Sequence, residues 1–133
     1  TQIAAVHAGW RGLANGILRK TLSQFSSVKN ILAYLGPAVG PQAFEVGVDV
    51  REAFLGNVQN SVHRGAIKKA FIDSNTKYLA DIYALARAEL HSCGVSAVHG
   101  GEFCTVNDPE RFFSYRRDQV TGRNASLIWL DGA

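Results

Sequence analysis

Residues 3–12, Ile3-Ala4-Ala5-Val6-His7-Ala8-Gly9-Trp10-Arg11-Gly12, take an apolar run into a histidine, two glycines and an arginine just ahead of a helical pattern. The run predicts a buried strand over 2–7 that ends near His7, where glycine lets the backbone turn with no Cβ in the way. Leu13, Ile17, Leu18, Leu22 and Phe25 then recur at helical spacing and predict a helix over 12–25. Strand, glycine turn and helix in that order form the first unit of an α/β chain.

The rest of the chain repeats the alternation. Residues 30–35 (NILAYL) read as a second buried strand, stopped by Gly36-Pro37, with Gly40-Pro41 stiffening the loop that follows. A short strand at 44–46 and a helix over 48–55 come next, and residues 56–70, with little periodicity, read as a surface excursion. The strongest helical pattern covers 75–92, with Leu79, Ile82, Tyr83, Ala86 and Leu90 on one face and Gly94 as its stop. Strands are predicted at 97–99, 112–115 and 125–130. The expected fold is therefore α/β (α+β), a mixed β-sheet layered with helices in a single domain over residues 1–133.

Composition bounds the function. A chain of 133 residues, 47% hydrophobic and 19% charged, suits one soluble domain, and no run approaches the roughly 20 apolar residues of a membrane span. The start lacks the basic and apolar regions of a secretory signal, so a cytoplasmic location is expected. The net charge is +3, yet only Lys68-Lys69 and Arg116-Arg117 cluster, which suits small anions and argues against nucleic acid. Cys93 and Cys104 make no disulfide framework. The absence of methionine, with a first residue inside or beside a predicted strand, reads as a fragment of a longer protein.

Two constellations could carry chemistry. A histidine after an apolar run is more often structural than ligating, and the flanking glycines add weight to a metal or acid–base role for His7 without displacing the structural reading. Arg11 at a helix N-terminus reads either as a surface ion pair or as an anion clamp, where forked donors and free N–H groups favour phosphate or carboxylate. The second constellation, Phe113-Ser114-Tyr115-Arg116-Arg117-Asp118 with Arg123 after Thr121-Gly122, reads as a hairpin with solvated arginines or as an anion site paired with Arg11. Glu45, Asp81 and Glu102 are second-tier acid–base candidates, Cys104 a buried thiol or a nucleophile, and His63 and His91 surface residues. No GxGxxG follows a strand, and neither GxxxxGK[ST] nor GxSxG occurs. Four scattered histidines cannot build a multinuclear copper centre.

VHAGWRG, LGPAVGPQAFEVG, FCT and FFSYRRDQVTGRNASLIWL, in this order along nearly the whole chain, resemble the YfiH-type polyphenol oxidase or laccase-domain family, whose members are also described as purine nucleoside phosphorylases. The resemblance implies that this chain is the C-terminal portion of the family domain. It also implies a zinc-type site of two histidines and a cysteine, with His7 as the last ligand and its partner His and Cys upstream of this chain. The implied reaction is phosphorolysis of adenosine, inosine or methylthioadenosine, with adenosine deamination as a second activity. His7 and Arg11 are then the catalytic candidates, and Arg11, Arg116 and Arg117 the substrate-binding ones. Purine nucleoside and phosphate are the expected partners, and an oligomer is compatible with the motifs. Copper-dependent phenol oxidation is one alternative; a non-catalytic binding role, such as peptidoglycan-precursor quality control, is another.

Overall fold

The computed structural model describes residues 1–132. Residues 1–9 form no helix or strand, and the first helices are α1 (Trp10–Ala14) and α2 (Ile17–Leu22). The single helix expected over 12–25 is thus two, broken at Gly16, whose φ of +77° is left-handed and open to glycine at little cost. β1 (Leu32–Leu35), β2 (Glu45–Val46) and α3 (Val48–Leu55) follow where the sequence pattern places them.

Residues 56–70 are not an excursion. They contain α4 (Ser61–Lys69), capped by the Asn60 side chain, which accepts the His63 N–H at 2.9 Å, and anchored by the fully buried Ile67. Nor is 75–92 one helix. β3 (Phe71–Ser74) and β4 (Lys77–Ala80) form a hairpin through Asn75-Thr76, with Ser74 opposite Lys77 and Asn75 at φ 56°. Asparagine tolerates that left-handed turn, and the tight connection converts the first turns of the expected helix into strand. α5 (Ile82–Ser92) starts only after Asp81, whose side chain accepts the Ala84 N–H at 2.9 Å, and it closes at Cys93-Gly94. The last strand, β5 (Ala97–Gly100), lies parallel to β1, with Leu32 opposite Ala97 and Leu35 opposite Gly100.

Parallel and antiparallel pairing are both present, as expected of a mixed α/β fold. They fall in two small sheets, β1-β5 and β2-β4-β3. The larger core gathers Leu13, Phe44, Phe54, Ile67, Ala80 and Leu85, while Leu22, Leu90 and Val95 form a second cluster. α5 contributes to both and is buried along most of its length.

Three expected strands are absent. Residues 112–115 precede α6 (Tyr115–Asp118), because the Ser114 side chain accepts the Arg117 N–H and starts a helical turn. Residues 2–7 and 125–130 form no helix or strand and are exposed, and neither pairs with any strand among the described residues. A strand exists only with a hydrogen-bonding neighbour, so an apolar pattern alone cannot make one. β1 is likewise half open, with Leu32 67% and Tyr34 65% exposed, against the fully buried strand expected from NILAYL.

Candidate active site

The LGPAVG loop after β1 and the segment after β5 run side by side. Gly101 donates to the Leu35 carbonyl at 2.9 Å, Ala38 pairs with Cys104, and Thr105 donates to the Ala38 carbonyl at 2.9 Å. The Cys104 thiol accepts the Gly40 N–H at 3.1 Å in a half-buried position. Tyr83 of α5 ties the two segments together: its hydroxyl accepts the Ala38 N–H at 2.7 Å and donates to the Phe103 carbonyl at 2.7 Å. Burial pushes the phenol up from its ordinary value, which keeps it a neutral donor.

His7 stands at the start of α1, exposed, with Nε2 beside Gly9. Trp10 packs against the larger core together with Ala38 and Val39. The Arg11 guanidinium lies 4.6 Å from the Trp10 ring centroid and makes no hydrogen bond or ion pair among the described residues. Arg116 stacks 5.0 Å over Phe44, a member of the same core. Both guanidiniums keep their donors free.

Arg117 differs from its neighbour. Nη1 donates to the carbonyls of Thr105 and Val106, Nη2 to Phe112, and Nε and Nη2 to the Asp118 carboxylate, at 2.8–3.1 Å. All five donors are spent on protein. Expected as a substrate contact, Arg117 here clasps the 105–112 loop to α6, and the hairpin reading of this segment gives way to a capped helical turn.

Other candidates have structural employment. Glu45 pairs with Lys77 at 3.5 Å across β2 and β4, and Asp81 caps α5. Glu102 and His99 are exposed. No group of three His, Cys, Asp or Glu side chains able to hold a metal ion exists among the described residues. A catalytic zinc takes three protein ligands, so His7 alone does not fit one.

Residues 1–131 match the family described as multi-copper polyphenol oxidoreductase laccase. The chain belongs to that family. It is 56% identical over 131 residues to the Escherichia coli (strain K12) relative named purine nucleoside phosphorylase YfiH, covering 98% of this chain and 51% of the relative. It is 51% identical over 133 residues to a purine nucleoside phosphorylase of Pseudomonas aeruginosa, covering 98% and 52%. The crystal structure of a Neisseria meningitidis protein, 50% identical, superposes with a TM-score of 0.87 over 96% of this chain and 51% of that one. The chain thus spans about half the length of the family members it matches. No described helix is long and apolar enough to cross a membrane.

One polar cluster escaped the sequence reading. Glu89 interrupts the apolar stripe of α5 between Leu85 and Leu90 and is only 7% exposed, and His63, expected at the surface, is half-buried on α4. The readable signal is a carboxylate one turn after Leu85 on a core-facing helix side. Burial raises the Glu89 carboxyl above its ordinary 4.5, opposed by the Arg19 backbone N–H and the Arg19 charge. Burial also lowers His63 below its ordinary 6.5, with the Arg19 charge acting in the same direction.

Between 4.5 and the raised native value of Glu89, the folded protein holds a proton that the unfolded chain has lost, so this residue's contribution to stability falls as pH rises through that window. Glu89→Gln is expected to gain stability relative to wild type with rising pH and to level off above the window, read from urea unfolding across that range. A difference independent of pH would contradict the burial argument.

Proposed function

We propose that this chain is the C-terminal portion of a single family domain and that the whole protein is a purine nucleoside phosphorylase. The observation that carries this reading is an exposed arginine with free donors, Arg11, four residues after His7, in a chain 56% identical to a relative bearing that name. In phosphorolysis the bond between C1′ of the ribose and the purine nitrogen breaks. An oxygen of phosphate bonds to C1′, giving ribose 1-phosphate, and the base leaves with a proton. The chain's residues supply positioning and charge. A guanidinium gathers and orients the phosphate dianion, and such charge-assisted contacts gain strength where water is excluded.

In this reading Arg11 is the phosphate clamp and Arg116 a second, weaker anion contact. Arg117, all its donors engaged, is a positioning residue for the loop beside Arg116. His7 is the chain's single contribution to a metal site, zinc before copper, whose other ligands lie outside these residues. Adenosine, inosine and methylthioadenosine are the proposed substrates, and adenosine deamination a second activity of the same whole protein. The family's own name supports copper-dependent phenol oxidation as the competing reading.

Arg11→Ala in the intact protein is expected to raise the KM for phosphate by about tenfold, the loss of one charge-assisted contact worth about 1.5 kcal/mol, with a smaller change in the KM for nucleoside. Steady-state kinetics with inosine and varied phosphate decide it. An unchanged phosphate dependence removes Arg11 from the role, and phenol oxidation without phosphorolysis would favour the competing reading.

A further inference from the structure

At the far end of α1 from His7, the helix ends of α1, α3 and the flanks of α2, α4 and α5 line a half-open cavity of about 160 Å³. Its apolar lining includes Leu13, Phe54, Ile67 and Leu85, all buried in the main core. Its polar lining comprises buried Glu89, half-buried His63, and the exposed Asn15, Asn57 and Arg19.

Glu89 is the unusual member. One carboxyl oxygen accepts the Arg19 N–H at 3.4 Å, the first turn of α2. The other has no hydrogen-bond partner among the described residues, and no ion pair is formed by this side chain. Yet no described side-chain oxygen or nitrogen is both fully enclosed and unpartnered. The free oxygen therefore opens onto the cavity. The Arg19 guanidinium turns instead to the Ser92 hydroxyl at 3.2 Å. An acceptor open to the cavity in this way can take a donor from a molecule bound there.

Size and charge narrow the donor. Drug-sized ligands occupy roughly 300–1,000 Å³, so 160 Å³ admits a single ring system but not a nucleoside. A metal ion lacks a third ligand, and a compact cation would face the positive charge of Arg19, which acts on both Glu89 and His63. A neutral molecule with N–H donors on one edge and flat apolar faces meets both the open carboxyl and the apolar walls, and the amides of Asn15 and Asn57 can serve its remaining edge.

We propose that this cavity is a second ligand site, separate from the His7–Arg11 turn, that takes a planar nitrogen heterocycle of nucleobase size bound by its N–H edge to Glu89. The inference does not depend on the phosphorylase reading, since it requires binding and no turnover.

Adenine is the probe, titrated calorimetrically into the intact protein without phosphate. Glu89→Leu removes both acceptors while filling a similar volume, a replacement that apolar surroundings generally tolerate; Glu89→Gln keeps the shape and serves as a second variant should the first fail to fold. Wild type is expected to bind an equivalent of adenine, beyond that bound as product at the phosphorylase site, that Glu89→Leu loses and Glu89→Gln holds at least tenfold more weakly, with turnover of inosine at saturating phosphate unchanged in both. Adenine binding identical in wild type and folded variants, or absent from wild type, overturns the proposal. Absence of phosphorolysis with adenine binding still dependent on Glu89 would sink the phosphorylase reading and leave this one standing.

Discussion

Gly100→Ala is expected to destabilise the protein by about 3–5 kcal/mol, a large share of the roughly 5–15 kcal/mol that holds a domain of this kind folded. Gly100 sits at φ +79°, where a side chain costs about 1–2 kcal/mol by itself. A Cβ there would also collide with the Leu35 carbonyl oxygen and approach the Leu35 nitrogen and the Tyr34 ring at 3.1 Å. Those atoms belong to β1, the parallel neighbour of β5, so relief would require the two strands to part. The same Leu35 carbonyl accepts the Gly101 N–H, and Arg87 donates to the Gly100 carbonyl. Urea unfolding of the intact protein measures the loss, and a midpoint within error of wild type would show that the junction can yield.

Tyr83→Phe should cost about 2–4 kcal/mol, although it removes one oxygen atom. The hydroxyl alone serves the Ala38 N–H and bonds the Phe103 carbonyl, in a residue 6% exposed. Phenylalanine would leave both half-buried backbone groups short of a partner, at about 1–2 kcal/mol for each. The two segments it joins are the LGPAVG loop and the run leading to Cys104. The variant is therefore expected to loosen the Ala38–Cys104 pairing, seen as faster hydrogen exchange at the Gly40 and Thr105 amides, together with the lower unfolding midpoint. Unaltered exchange at both amides would show that the backbone pairing holds without the phenol.

These two residues also mark the limit of what the sequence makes legible. α3 is found at Val48–Leu55, the residues its period indicates, and the stop at Gly94 is where α5 closes. Local signals sufficed there, since an apolar face and a terminator act within a few residues. The hairpin at Asn75 was hidden because Leu79 fits a helical stripe as well as it fits a strand, and only pairing with β3 and β2 selects the strand. α4 was hidden for a different reason: Gly65 and three basic residues dilute its pattern, and a single deeply buried residue, Ile67, anchors it.

At the candidate site the types of residue were legible and their employment was not. Arg116 and Arg117 are adjacent and identical in the sequence. One lies over Phe44 with its donors free, and the other exhausts its donors on Thr105, Val106, Phe112 and Asp118. Similarly, Glu89 is an ordinary helical glutamate until the turn at Gly16 and the flank of α4 close around it.

By itself, then, the sequence determined the alternating α/β order, the family to which the chain belongs and the span of α3, because each is written in short-range patterns of apolar period, glycine and motif. Tertiary structure alone decided that residues 2–7 and 125–130 have no strand partner among the described residues, that Arg117 is a clasp, and that a buried carboxyl opens onto a cavity. Strand pairing, donor saturation and desolvation are each settled by atoms far apart in the chain, and no local pattern encodes them.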